Sequence, residues 1–327
     1  MPQKPLASLS LDLDNKWSYI KTHGDPGWEN FPSYLDVVVP RVLEILHKRD
    51  LTITFFIVGQ DAAIEANQPM LKSIADAGHE IGNHSFHHEP WLHLYSEEDI
   101  AKELATAEEA IIAATGVKPV GFRGPGFSVS EGVLKVLVDR GYRYDCSTFP
   151  TYLGPLARAY YFMTAKLTPE EKESRKKLFG TLADGLRPNK PYRWNVGGST
   201  LLEVPVTTMP VIKIPIHASY ILYLAKFSPF VAKLYLRMAL LFCRVMGVEP
   251  SFLLHPLDFM TEQDAPELSF FPAMRVPLDK KLALMDDILT MLTSQFEVLS
   301  MSGFVQRAES RSGLRSLQPN FGPQQSV

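Results

Sequence analysis

The sequence predicts an α/β protein built on a parallel sheet or barrel. Strand-like and helix-like stretches alternate five times over, the signature of βαβ units. Polar residues gather directly after four of the strands, at Asp14, His84, Arg123 and Asp145, and parallel α/β folds collect their chemistry at the carboxyl ends of strands. The 327 residues are 46% hydrophobic and 21% charged, which suits an ordinary core in one large domain or two small ones.

Leu9, Leu11 and Leu13 fall on one face of the first strand, and Ser10, Asp12 and Asp14 on the other. Two carboxylates on one strand face repel unless a cation or an Arg lies between them. Residues 32–49 predict a helix, with Val38, Val42, Leu43, Ile45 and Leu46 on one side. Residues 51–58 form a nearly continuous apolar run, as a strand buried on both faces should. Residues 60–77 predict a helix ended by Gly78. Residues 79–83 are a short strand that delivers His84, His87 and His88. Ser96 caps a helix with an acidic first turn that runs to Gly116. Residues 120–123 form a strand, followed by Gly124-Pro125-Gly126. Ser130 caps the next helix, which ends at Gly141, and residues 142–147 return to strand.

From about 149 to 199 the alternation stops. Pro150, Gly154, Pro155, Pro188 and Pro191 punctuate this stretch, around a charged helix-like run at 169–177. Strand signals resume at 201–206, so the stretch reads as an insertion. It carries Tyr160, Tyr161, Phe162 and Met163, then Arg175, Lys176 and Lys177. Residues 217–247 are apolar and aromatic, with Lys226, Lys233, Arg237 and Arg244 among them. They predict either a covering helix pair broken at Ser228-Pro229, or a hydrophobic rim for a lipid-like substrate or membrane surface. Residues 251–255 form a strand ending on His255, 278–295 a helix, and 296–301 a last strand. The domain is expected to span 1–306, with 307–327 a tail without structure.

His84 and His88 are four apart. On one helical turn both imidazoles would share a face and make half of a zinc-type site. The plainer alternative is a solvated loop rich in His. His79 reads as structural, and His87 is expected to point away from any metal. His23, His47, His93 and His217 have no partner legible in the sequence. Trp91 is either a sugar platform or a core aromatic. Asn83 and Ser85 are candidates to support metal ligands.

Asp12-x-Asp14, His84-Ser85-x-x-His88, Arg123-x-Pro125 and Leu253-x-His255 resemble, in order and type, the motifs of the polysaccharide deacetylase family (carbohydrate esterase family 4, the NodB-homology domain). The resemblance covers residues 8–148 and 200–302. It implies a distorted (β/α)7-type barrel, with the insertion between the fifth and sixth strands. It implies a divalent metal, zinc in the first place and cobalt, nickel or manganese otherwise, on Asp14, His84 and His88. Asp12 would be the general base, Arg123 its orienting partner and His255 the general acid. Two departures stand out. Leu13 separates two aspartates that the family usually has adjacent. Gly126 stands where the family has an aromatic residue, so Gly126 and Phe127 become the candidates to form the oxyanion site and its wall. Asp145 is the candidate to support His255.

The expected function is therefore metal-dependent removal of an N-acyl group, acetyl or formyl, from an aminosugar or glycan. The net charge of −3 gives no basic field for nucleic acid. Two cysteines without a CxxC fit a reducing compartment. No secretory signal is read, and no apolar run reaches the ~18 residues of a spanning helix. A cytoplasmic location is expected, with or without peripheral contact at the inner membrane face, and with it an intracellular or lipid-linked glycan precursor as substrate. Residues 201–209 and 217–247 also resemble family members that deacylate lipid-linked aminosugars. The alternatives are an amidohydrolase of the same fold acting on a small cyclic amide or ureide, and a non-catalytic glycan-binding barrel. The full set of motif residues speaks against a dead site.

Overall fold

The computed structural model describes residues 4–175, 181–311 and 313–321. Seven strands run parallel around a distorted barrel: β1 (Leu6–Leu13), β2 (Thr54–Ile57), β3 (Glu80–Asn83), β4 (Gly121–Phe122), β5 (Tyr144–Asp145), β7 (Ser199–Glu203) and β8 (Ser251–Leu254). Outside the barrel, β6 (Tyr192–Val196) pairs antiparallel with β7. The barrel order is β7-β5-β4-β3-β2-β1-β8. Past β7 the Thr207 N–H donates to the Ser251 carbonyl at 3.1 Å, which closes the ring by the thinnest of seams. The expected barrel is therefore present, with its insertion between the fifth and sixth barrel strands.

Alternation along β1 holds. Leu9, Leu11 and Leu13 pack with Phe252 and Leu254 of β8 in the layer between barrel and helices. Ser8, Ser10 and Asp12 take the opposite, inner face and are buried as well. Outside the barrel lie α1 (Lys16–His23), α2 (Leu35–His47), α3 (Gly59–Ala63), α4 (Gln68–Asp76), α5 (Glu97–Thr115) and α6 (Glu131–Asp139). Ser96 and Ser130 cap α5 and α6 as the sequence predicts, accepting from the N–H groups of Asp99 and Val133. The helix expected over 60–77 is two helices. Ile64 is extended, and α4 restarts with Pro69 near its N-terminus, where a missing N–H costs nothing.

The insertion contains α7 (Gly154–Thr164), α8 (Pro169–Ser174) and β6. The strand β6 is an addition to the expected elements. It turns into β7 through Gly197 and Gly198, both left-handed, as a tight two-residue hairpin requires. Lys176 and Lys177 of the basic cluster, and the side chain of Tyr160, lie outside the described residues. The covering helix pair is α9 (Ala218–Ala225) and α10 (Pro229–Met246), with Ser228 capping α10. Two more helices follow, α11 (Leu278–Gln295) and α12 (Met301–Glu309), with β9 (Glu297–Leu299) between them beside the start of β1.

The tail is a correction. Arg307 belongs to α12, which packs Met301, Phe304, Val305 and Ala308 against Phe56, Tyr144 and Cys146 and so stoppers the barrel. Beyond it, β10 (Ser316–Leu317) pairs with β6, and Phe321 meets Trp194. Apolar side chains at i, i+3 and i+4 give α12 a core face that the polar composition around it hides. Residues 322–327 lie outside the described residues.

Candidate metal centre

The chain leaves β1 at Asp14 and is held there from several sides. The Tyr34 hydroxyl donates to the Asp14 carbonyl at 2.7 Å. Asn15 caps α1, its Oδ1 accepting from the Lys16 N–H at 2.8 Å and the Tyr34 N–H at 3.1 Å. Asn15 Nδ2 donates to Asp61 Oδ1 at 2.7 Å, which also receives the Trp17 indole N–H at 3.0 Å. These contacts fix the backbone that presents the Asp14 carboxylate.

The histidine loop is not the helical turn that its spacing suggests. Ser85 and His88 both adopt left-handed backbone, with φ of 62° and 53°. For residues with a Cβ such conformations cost on the order of 1–3 kcal/mol each and persist only where neighbours enforce them. Here Glu103 of α5 enforces them. Its Oε1 accepts from the N–H groups of Phe86 (2.9 Å) and His87 (2.6 Å), and its Oε2 lies 2.8 Å from His87 Nδ1. Asn83 Oδ1 accepts the Ser85 N–H at 2.8 Å. So His87 does point away, bound to Glu103, and Asn83 shapes the loop. His79 is structural, accepting the Ile53 N–H at 3.2 Å.

The loop brings His84 and His88 to Asp14. Their Nε2 atoms lie 3.3 Å and 3.0 Å from Asp14 Oδ1. Among the described residues, Asp14, His84 and His88 are the one group of three whose ligand atoms, all within 4.8 Å of one another, could hold a metal ion. Burial pushes the Asp14 carboxyl up, but the imidazoles of His88 and His84 outweigh it and hold it well below the ordinary range. The His84 Nδ1–H donates to the Arg123 carbonyl at 2.5 Å, which turns Nε2 towards Asp14, as metal-binding imidazoles require. Two imidazole nitrogens and one carboxylate suit a catalytic zinc-type site with an open position. The donor set fits a divalent metal.

Arg123 is fully buried inside the barrel, with its guanidinium 4.3 Å over the Phe56 ring. Its Nη1 donates to Asp12 Oδ1 at 2.6 Å and Ser10 Oγ at 2.9 Å, and its Nε to the Cys146 carbonyl at 3.2 Å. The repulsion expected between the two aspartates is thus relieved by Arg123 at Asp12 and by the imidazoles at Asp14. Removing one partner of a buried ion pair leaves an uncompensated charge. Arg123→Met is therefore expected to cost about 3–5 kcal/mol in urea unfolding. A loss below about 1 kcal/mol would show that Asp12 does not depend on it.

His255 sits one residue past β8. The β1–β8 register pairs Leu11 with Leu254, and one further step sets His255 beside Asp12. Its Nδ1 lies 3.2 Å from Ser219 Oγ, which donates to Asp258 Oδ1 at 2.8 Å. Asp258 Oδ2 also accepts the His255 N–H at 2.8 Å. Asp145, expected to support His255, does not. It faces Glu203 across the β5–β7 register and takes the Ser147 hydroxyl at 2.5 Å. Burial raises both carboxyls, and for Glu203 the neighbouring Asp145 adds to the rise. The role expected of Asp145 falls to Ser219 and Asp258.

Beyond the metal ligands, Gly126 and Phe127 are both left-handed, and a Cβ on Gly126 would come within 3.1 Å of Pro90. Phe127 stacks on Phe149 at 4.6 Å, Phe149 tilts against His217 at 5.8 Å, and His217 against His255 at 5.6 Å. This row of rings is an aromatic wall running to His255. Burial, then His255 and Arg123, hold His217 well below its ordinary value, so its ring is neutral. Burial and the Asp14 charge push the Tyr19 phenol well up. Trp91 is half-buried, with the Arg175 guanidinium 4.9 Å over its ring. Together with Lys21 and Trp28 they line an open groove of about 290 Å³.

Asp61 offers a test of the support behind Asp14. Its burial, with the Asp14 charge adding, raises its pKa to about 7 against an ordinary 3.8, despite the bonds from Asn15 and Trp17. A carboxyl whose pKa is higher folded than unfolded binds its proton more tightly in the native state. Stability therefore falls as pH rises from the unfolded value through about 7, by up to about 4 kcal/mol. Asp61→Asn keeps an oxygen for Asn15 and Trp17. It is expected to flatten the pH dependence of the melting temperature across that window. An unchanged slope would place the titration elsewhere.

Residues 25–144 match the polysaccharide deacetylase family model. That stretch includes His84, His88 and Arg123 and leaves out Asp12, Asp14 and His255. The chain is 30% identical over 156 residues to a peptidoglycan deacetylase of Helicobacter pylori, covering 45% of this chain and 50% of that one. It is 37% identical over 120 residues to the peptidoglycan-N-acetylmuramic acid deacetylase PdaA of Bacillus subtilis, covering 36% and 42%. The chain thus spans about half the length of the curated relatives it matches. In fold it is similar to a crystal structure of a Mycobacterium smegmatis protein named for the polysaccharide deacetylases. The TM-score is 0.60 at 20% identity, over 98% of this chain and 96% of the other. The family resemblance drawn from the motifs is found independently in these comparisons.

Proposed function

We propose that this chain, related to the polysaccharide deacetylases through residues 25–144, hydrolyses the N-acyl amide of an aminosugar, with Asp14, His84 and His88 holding a divalent metal. The observation that carries the reading is the convergence of those three side chains beside an ion-paired Asp12 and a supported His255. When bound, a divalent metal polarises the amide carbonyl and makes water acidic enough to attack it at neutral pH. Zinc suits two imidazoles and one carboxylate best, and cobalt, nickel or manganese satisfy the same donors.

The protein groups supply the proton transfers. Asp12, oriented by Arg123, accepts a proton from the attacking water. As the C–N bond breaks, the amine needs a proton to leave, and His255 donates it. Ser219 and Asp258 keep the His255 ring in place for that step. Gly126 and Phe127 border the reacting carbonyl, with Phe149 continuing the wall. Trp91 and Trp28 offer flat apolar faces on which sugar rings could stack.

The finer reading of substrate is a cytoplasmic or lipid-linked glycan precursor. It is supported by the apolar segment 217–247 and by the two cysteines, Cys146 and Cys243, which are buried as free thiols. The test is a panel of N-acetyl and N-formyl aminosugars, free, oligomeric and lipid-linked. Acyl release from the lipid-linked or small precursors above that from polymer supports the reading. Release from cyclic amides or ureides alone would replace it.

A further inference from the structure

We propose that the outer face of the α9–α10 hairpin docks on an anionic lipid membrane. The helix α10 is apolar on both sides. Ala232, Leu236, Ala239, Leu240 and Cys243 are buried against the barrel layer. On the other side Phe230, Leu234, Met238, Leu241 and Val245 recur at three- and four-residue spacing and stay exposed, Phe230 and Val245 at 74%. Phe227, 72% exposed, extends the stripe at the turn between the two helices. Such a continuous apolar stripe on a protein surface marks an interaction site.

Charge decides what covers it. Between His217 and Val248 the sequence has no Asp or Glu. Lys226, Arg237 and Arg244 flank the stripe, are exposed, and enter no ion pair among the described residues. Lys233 is paired with Asp287 at 2.5 Å. A second copy of the same face would set these cations against themselves. A leaflet containing anionic headgroups answers the cations, while its acyl boundary takes the stripe. No helix among the described residues is long and apolar enough to cross a membrane, so the contact lies in the interface plane.

A second apolar point lies beside the hairpin. The loop after β7 exposes Val211 (72%) and Ile212 (48%) at its tip. Val211 is left-handed, at φ 72°, an unusual conformation for a β-branched residue. The Tyr235 hydroxyl of α10 donates to the Pro215 carbonyl at 2.7 Å, tying the loop's base to the helix. The face also connects to the candidate site, because α9 begins directly after His217, which lies against His255. A membrane-seated hairpin would hold that cleft close to the lipid surface.

The experiment is flotation of the full chain with vesicles of phosphatidylcholine alone or with about one-third phosphatidylglycerol. It is run at low salt and at about 1 M, where the screening length falls to ~3 Å. The expected result is binding to the anionic vesicles, weakened by high salt. Arg237→Gln and Arg244→Gln should each weaken it about fivefold. Phe227→Ser with Phe230→Ser should weaken it at least about tenfold. These exposed positions leave the fold intact, checked by an unchanged melting temperature. Three results would overturn the proposal: no flotation with either vesicle, equal flotation with both regardless of salt, or a dimer that Phe230→Ser dissociates without any vesicle binding. Flotation is read without substrate, so a chain that floats but releases no acyl group counts against the proposed function alone.

Discussion

Asp12→Asn is expected to keep the metal and lose about 10²–10⁴-fold in kcat, the range that a positioned acid or base contributes. Asparagine preserves the size of the side chain and an oxygen for the Arg123 bond, now 2.6 Å. It removes the one thing a base must have, an acceptor for the water proton. Arg123 keeps its bonds to Ser10 and to the Cys146 carbonyl, so the barrel interior stays assembled, although the buried guanidinium loses its counter-charge. The readout is therefore paired: metal per chain by elemental analysis and kcat on the best acyl-sugar of the panel. Loss of metal in Asp12→Asn, with metal kept in Asp14→Asn, would reverse the two roles. The Leu13 spacer makes that reversal worth testing, since both carboxylates lie on the inner side of one strand end.

His88→Ala is expected to abolish bound metal altogether. A three-ligand protein site that loses one donor keeps only Asp14 and His84, and closed or catalytic zinc sites use three protein ligands or more. The ring of His88 makes no hydrogen bond through its buried Nδ1 and meets Asp14 through Nε2. Its contribution is thus concentrated on the site. The left-handed backbone at position 88 is held through the bonds of Glu103 to Phe86 and His87, and alanine at 88 removes none of them. A folded His88→Ala chain with unchanged metal content would sink the ligand assignment.

Much of this arrangement is legible in the sequence, for physical reasons that differ by residue. The period-two pattern of β1 separates its two faces, and that pattern alone sets Asp12 and Asp14 on one side. Helix α11 has a sustained apolar stripe, and both its ends match their expected positions. The loop at 84–88 is different. A spacing of four is shared by a helical turn and by a kinked loop, and nothing local distinguishes them. The left-handed turns at Ser85 and His88 depend on Glu103, which in sequence looks like one more surface acid of an amphipathic helix. The same holds for Ser219 and Asp258, which reach His255 from two different segments, while strand-end position alone favours Asp145. The hairpin at Gly197-Gly198 carries a readable turn signal that the irregular insertion around it obscures. The tail from Arg307 reads as polar because most of the helix's apolar face, Met301, Phe304 and Val305, precedes it, and Leu317 and Phe321 beyond are isolated among polar residues.

Asp14, His84 and His88 are expected to hold a metal that acyl-amide hydrolysis requires. The most direct measurement is acetate release from an N-acetylated aminosugar by the purified chain, before chelation, after it, and after zinc is added back, with metal per chain recorded at each stage. The expected outcome is about one metal per chain, release that disappears with the metal, and release that returns with it. Acetate release that continues undiminished from the metal-free chain would contradict it.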